Sequence, residues 1–508
     1  MKIIFFLIFS LLSSAQAEFN TNDLSRVEEL FKSHEKEKYE LITYYLINND
    51  YYFSAVLFAK QFLAENKEVP PLFETALEKI MLKAGTETFS DLNFEILKKH
   101  QIPSLELALG IKYLKSDHLT ESINELKKVP KNHRFYPESL LMEGTAFQLI
   151  KKYSEAVESY KICVEAAHRF ESTFKHDKLK RYYAIIAENC IIHQARILYS
   201  EKKYKEAVVA YEKIPKNSYL WPYILMEKAW SYYQLEDYNR TLGLNVTYKS
   251  PLMDSYFFPE AEVLNALSYY HLCLYHDALK VIEQYYDVYR LRSEELLKLV
   301  EANKNSEDFF LKIVFENKNN LKNSFLGKLS TQIKKKVKFS LDLLSYKKAE
   351  EELKKIEGMK ETPFVKLLKN ELKESIKLRA RKLNHYVHKY FVDFINSVHA
   401  FSYNMFDIQL DIMSNQRSLI YRNTGLVSDR ARGDYSNVKK SEKQHFWTFK
   451  GAFWADEIGD YSFGLKSNCQ EVKIKKTQEE KEKEDKELGQ EEEVEIQVDN
   501  PTAAPKKP

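Results

Sequence analysis

The sequence predicts an all-α fold of stacked helical hairpins followed by longer helices. Three observations carry this. Apolar residues recur at three- and four-residue spacing through most of the chain. Turn formers are scarce, with 12 Gly and 13 Pro in 508 residues, which favours long helices over strands. A pair of small residues, twelve apart, returns at related intervals, as hairpins packing against their own copies require.

The clearest unit runs from Tyr136 to Val164 and reads as helix, tight turn, helix. Gly144 on the first helix and Ala156 on the second let the two helices approach closely. Phe147, Tyr153 and Tyr160 fill the space around them. Gly110 and Ser122 take these roles 34 residues upstream; Ala195 and Ala207 take them 51 downstream, one unit plus 17. Ala229 and Thr241 follow after another 34, and Ala266 and Ala278 after 37. Thr43 and Ala55 lie 67 before Gly110 and Ser122, leaving room for one degenerate unit. Tyr52, Tyr153, Tyr204, Tyr238 and Tyr275 recur just before the second helices. Because Ala195, Ala229 and Ala266 share the phase of Gly144, alanine is expected to be accepted at 144. The small-and-large pattern at a 34-residue period resembles the tetratricopeptide repeat. That resemblance implies a right-handed superhelical solenoid of tetratricopeptide-like helical hairpins over residues 18–290.

Taken in order, residues 1–17 read as a secretory signal peptide. Lys2 supplies the charge, Ile3 to Leu12 the apolar run, and Ala15-Gln16-Ala17 the small-residue cleavage site. The mature chain then starts at Glu18, and a periplasmic location is expected. The first clear hairpin is Tyr39 to Ile47 with Tyr51 to Ala64. A degenerate one follows, Leu72 to Leu82 with Ser90 to Lys99. Pro103, Pro137, Pro222 and Pro259 each open a first helix, where the missing N–H costs nothing. The extra 17 residues around His168 to Tyr182 lengthen two facing helices.

Beyond residue 290 the register fades, and residues 291–420 read as longer helices. Two basic runs lie in them, Lys334 to Lys338 and Lys377 to Lys382. A solvated helix face is the plain reading; an acidic partner or anionic lipid is the other. Residues 421–469 form an aromatic capping segment with Trp447 and Trp454, expected to fold back on the helices or form a short hairpin. Residues 470–508 are charged and poor in apolar residues, a composition that predicts disorder.

Net charge is +3, too small to argue for nucleic acid, and no mature segment is long and apolar enough to span a membrane. Of the four cysteines, Cys163 and Cys190 fall on neighbouring helices and form the favoured bridge. Buried free thiols are the alternative. His385 and His388 have a spacing that metal ligands use, with Asp393 and His399 nearby in sequence. Asp393 points off that face and His399 lies about three turns on, so no third ligand is in local reach. Asp456, Glu457 and Asp460 beside tryptophans suggest a glycan site less readily than a structural turn. No phosphate loop, nucleophile elbow or zincin motif is present, so no enzyme, metal or cofactor is expected.

Trp221-Pro222-Tyr223 through Tyr232, Ser250-Pro251, Phe257 to Ala261 and Trp454 to Tyr461 resemble periplasmic tetratricopeptide proteins of delta-proteobacteria. That resemblance implies a place in cell-envelope or gliding-motility machinery. First helices line the binding face in proteins of this kind. The expected partner site is therefore Tyr223, Met226, Trp230 and Tyr233, with Ile192, Arg196 and Tyr199 on the preceding unit. A protein partner, as a peptide or a helix in the groove, fits such a face. A cell-wall-associated enzyme, or an accessory to one, stays open as a second reading, its chemistry then lying in residues 291–469.

Overall fold

The computed structural model describes residues 25–34, 37–66, 68–175, 177–254, 256–315, 324–421, 444–446 and 458–469. The expected leader, the two capping tryptophans and the charged tail lie outside them. The chain is an all-α helical repeat, with twenty α-helices among the described residues. After α1 (Ser25–Lys32) come α2 (Lys38–Asn48) and α3 (Tyr52–Glu65), then α4 (Pro71–Ala84) and α5 (Phe94–Lys99). Next are α6 (Pro103–Lys115) and α7 (Leu119–Leu126), then α8 (Tyr136–Leu149) and α9 (Tyr153–Thr173). They are followed by α10 (Asp177–Ser200), α11 (Tyr204–Tyr211), α12 (Trp221–Gln234), α13 (Tyr238–Val246), α14 (Pro259–His271) and α15 (Tyr275–Tyr285). Prolines 71, 103, 137, 222 and 259 each sit in a first turn. The extra 17 residues lengthen α9 and α10 to 21 and 24 residues, and the Cys163–Cys190 disulfide joins them.

Backbone geometry gives the repeat a second signature. Asp50, Asp117, Lys151, Lys202, Glu236 and Cys273 all have φ between 55° and 63°. Their intervals are 67, 34, 51, 34 and 37, those of the small-residue pairs. Each ends a first helix. At Lys151, its N–H bonds to Gln148 O (3.1 Å) and the Lys152 N–H to Phe147 O (2.9 Å), closing the last helical turn. Asp50, Asp117, Lys202 and Cys273 repeat both bonds. The left-handed conformation costs a residue with a Cβ about 1–2 kcal/mol, so packing of the two helices must hold each turn in place.

Gly144 lies where the repeat register puts it, but the expected tolerance of alanine does not follow. A Cβ at Gly144 would stand 2.5 Å from Tyr160 Cε1 and 2.7 Å from Cδ1. Tyr160 is fully buried, and its hydroxyl donates to Gln148 Oε1 (3.1 Å), which holds the ring over Gly144. In the next unit Ala195 takes the position of Gly144, and Tyr211, with its hydroxyl, that of Tyr160. That hydroxyl instead reaches forward to Glu227 on α12, at 2.8 Å.

Chain contacts divide the molecule into two compact units. The first holds Met1–Leu235, Met253–Phe257 and Arg292–Asn396. Its later helices are α16 (Leu291–Asn303, from Arg292 on), α17 (Phe309–Phe315), α18 (Phe325–Lys335), α19 (Val337–Glu357) and residues 363–396 of α20 (Pro363–Tyr421). Of these, α19 and the start of α20 pack into the core of the first hairpins. Ala349, Ile356, Phe364, Val365, Leu368 and Leu372 share one core with α1 to α7. The Phe364 ring lies 5.3 Å from Phe31 and 5.7 Å from Phe58. Glu352 accepts from the backbone N–H groups of Phe53 (3.0 Å) and Ser54 (2.7 Å) and from Ser54 Oγ (2.6 Å). Arg379 donates to Ser345 Oγ (2.7 Å) and lies over the Phe53 ring, 5.0 Å from its centre.

The second unit holds Glu236–Leu252, Phe258–Leu291 and the chain from Ser397. Here residues 458–469 lie against α13. Phe463 N donates to Asn239 O and Leu465 N to Asn239 Oδ1, both at 2.9 Å. Tyr461 backbone packs directly against Gly243, where no Cβ fits. Cys469 is bridged to Cys273. Strands β1 (Gln444–Phe446) and β2 (Asp460–Ser462) pair in parallel, so they are not the two arms of a tight hairpin.

Gly144→Ala is expected to destabilise the chain by about 1–2 kcal/mol, overpacking outweighing the better helix propensity. Gly144→Leu should cost more. Urea unfolding measures both. Wild-type stability in Gly144→Ala would contradict the close approach of Tyr160.

Candidate partner-binding surface

Ile192, Arg196 and Tyr199 lie at i, i+4 and i+7 on α10, and Tyr223, Met226, Trp230 and Tyr233 at i, i+3, i+7 and i+10 on α12. Each set therefore occupies one helix face. The structure splits them by burial. Ile192 and Met226 are buried (4% and 5% exposed), and in this arrangement they serve packing rather than contact with a partner. Arg196 is exposed, while Tyr199, Tyr223, Trp230 and Tyr233 are half-buried.

Arg196 ties the two helices together. Its Nε donates to Glu227 Oε2 (2.9 Å) and its Nη2 to Oε1 (2.6 Å), a two-pronged pair. The hydrogen bond to Glu227 holds the guanidinium's pKa above its ordinary value. Glu227 lies four residues after Tyr223 and three before Trp230, on the same face. Trp230 and Tyr233 meet edge to face at 5.5 Å, and Tyr199 meets Tyr204 at 5.3 Å. Beside them His193 stacks on Tyr160 at 5.2 Å. Burial, then the Arg196 charge, push His193 down to about 4, so it is neutral at physiological pH.

Tyr223 has a different setting, supplied by the chain's own later helices. Lys336, between α18 and α19, places Nζ 3.7 Å from the centre of its ring. Tyr256 meets it edge-on at 5.9 Å, and Lys335 Nζ lies 4.3 Å from the Tyr256 ring centre. Burial, reinforced by neighbouring tyrosines, raises the Tyr223 and Tyr390 phenols well above their ordinary range. The Lys336 ammonium makes no hydrogen bond or ion pair among the described residues. Burial, then Arg196, push its pKa down to about 8. The patch thus offers half-exposed rings, a fixed guanidinium and an ammonium held by a ring instead of a carboxylate.

Sequence reasoning missed Lys336, Tyr256, Tyr386 and Tyr390. The signal present was the Lys334 to Lys338 run, which reads most plainly as a solvated face. Burial instead lowers the pKa of Lys334 and Lys335 as well. Of the two histidines with metal-like spacing, His385 is exposed and His388 packs edge-on against Phe310 at 4.8 Å.

Neither a protein-family model nor a curated protein matches this sequence. Among solved structures, the chain is similar to the apo form of RapI, at 14% identity and a TM-score of 0.34. The match spans 68% of this chain and 97% of that one. It is also similar to the Rap conjugation gene regulator of the plasmid pLS20 in complex with a Phr peptide. There identity is 11% and the TM-score 0.27, over 69% of this chain and 96% of that one. Superpositions this loose carry no argument about ligand or activity. The helical-repeat fold rests on the recurring turns and helix pairs described above.

Lys336 gives a pH dependence of known sign. Its folded pKa, about 8, lies below the ordinary 10.5. Between those values the unfolded chain binds the extra proton, so this group makes stability rise as pH rises through that window. Lys336→Met is expected to raise stability at neutral pH by at most about 3 kcal/mol and to lose that advantage above the unfolded pKa. Melting curves of both proteins across the window test this. A constant difference between them would contradict the setting of Lys336.

Proposed function

We propose that this chain is a non-enzymatic, exported scaffold that binds a protein partner on the first-helix face of α10 and α12. The observation that carries this reading is the strip of half-exposed rings, Tyr199, Trp230 and Tyr233, beside exposed Arg196 on successive repeats. Aromatic and arginine side chains on a rigid helix face are the usual anchors of protein interfaces. A peptide or an amphipathic helix is the partner form such a face accepts. Lys336 lies over a ring and makes no ion pair among the described residues, which makes a segment carrying acidic side chains the favoured ligand.

The charged, apolar and small-residue order of residues 1–17 supports export. Bridging of both cysteine pairs supports an oxidising compartment, hence the periplasm. Among the described residues no helix is long and apolar enough to cross a membrane. A place in a cell-envelope or gliding-motility complex is the setting proposed from the aromatic motifs of Trp221 to Tyr232 and Trp454 to Tyr461.

Affinity capture from a periplasmic extract tests the reading. The wild-type chain should retain a protein partner that the Trp230→Ala/Tyr233→Ala variant binds at least about tenfold more weakly. Equal retention by the two would sink the proposed face. Recovery of protein with intact Met1 from the cytoplasm would overturn export, and digestion of peptidoglycan by the purified chain would favour an enzyme.

A further inference from the structure

A second cluster stands apart from that face. Glu74 and Glu78 lie four residues apart on one face of α4. His133 comes from the connector between α7 and α8, where turn bonds from His133 N to Pro130 O (2.9 Å) and from Tyr136 N to His133 O (3.0 Å) fix the backbone. One ligand atom from each residue can be chosen so that all three lie within 4.8 Å of one another. We propose that Glu74, Glu78 and His133 form a binding site for a divalent transition-metal ion, with one coordination position open to the adjoining cavity.

Geometry separates this from an ordinary ion-pair cluster. His133 Nε2 lies 3.1 Å from Glu74 Oε1 and 2.8 Å from Glu78 Oε1. Neither contact has the alignment of a good hydrogen bond. Ligands held about 2.0–2.1 Å from one tetrahedral ion stand roughly 3.3 Å apart, close to these separations. The His133 side chain is only 9% exposed. Glu74 Oε2 is buried without a hydrogen-bond partner, a costly condition that a cation would relieve. Glu74 Oε1 accepts from Ser104 N (2.9 Å) and Ser104 Oγ (2.8 Å), which orients the carboxylate from behind.

The open side is a cavity of about 470 Å³ whose walls include Glu78, Asn132, His133, Arg134, Phe170 and Phe174. Arg134 Nη1 stands 3.6 Å from Glu78 Oε2. The Phe135 N–H faces His133 Nδ1 at a long 3.3 Å. Metal binding at Nε2 places the ring proton on Nδ1 and gives up that contact. Two carboxylates and an imidazole, with no thiolate, suit Zn²⁺ or Mn²⁺ rather than soft ions, and Zn²⁺ should bind the tighter of the two.

The test uses the full chain, stripped with a chelator and titrated with Zn²⁺ at neutral pH by calorimetry. One ion per chain with micromolar or tighter affinity is expected. Glu78→Gln and His133→Ala should each weaken it at least about tenfold, and Ser104→Ala by a smaller factor. His385→Ala should leave it unchanged. Glu78→Gln is nearly isosteric, so its melting curve shows whether a loss reflects the site or the fold. No uptake by the wild type, or unchanged affinity in a folded Glu78→Gln chain, would overturn the site.

Discussion

The carboxylate of Glu352 sits on the N-terminal turn of α3, and the arrangement of the first unit depends on it. Every helix starts with N–H groups that have no partner in the helix. Tyr51, which precedes α3, offers no side-chain cap. Glu352 supplies the acceptors from 298 and 299 residues away. Burial raises its pKa, opposed by bonds from Ser54 and Phe53. A carboxylate taken out of water is stable only where donors replace the lost hydration, and the favourable end of the α3 dipole adds to them. Glu74 does the same for α6, whose preceding residue Ile102 also provides no side-chain cap.

A helical repeat rests on its neighbours, and its end units need covering. In the first unit that cover comes from α19 and the start of α20. Phe364 enters the space between Phe31 and Phe58, and Arg379 closes over Phe53. The entropic cost of closing so long a loop grows only slowly with length, so a few buried contacts can hold it. The same helices bring Lys336 to Tyr223. The expected binding face is therefore partly occupied by the chain that bears it, which leaves the Trp230 and Tyr233 end as the accessible part.

Local features were legible in the sequence. The phase of Thr43, Gly110, Gly144, Ala195, Ala229 and Ala266 located six hairpin turns, because each left-handed residue falls seven positions later. First-turn prolines marked helix starts, and the Cys163–Cys190 pair followed from helix adjacency. What the sequence could not show depends on distant partners. The two rings of Tyr160 and Tyr211 have the same phase, yet one turns back over Gly144 and the other reaches Glu227. Lys336 looks like part of a solvated run until Tyr223 is placed under it. Glu74, Glu78 and His133 are separated by two hairpins, and no local spacing connects them.

Hydrogen exchange of the wild type and Glu352→Ala tests the central tie most directly. Removing the carboxylate leaves the Phe53 and Ser54 N–H groups buried without acceptors, at a cost of about 2–3 kcal/mol. Opening free energy should fall by that amount at Phe53 and Ser54, and through residues 38–65 and 345–372 together, if these elements open as one unit. Unchanged protection of α2 and α3 in the variant would show that the first hairpin stands without the C-terminal helices and would contradict this account.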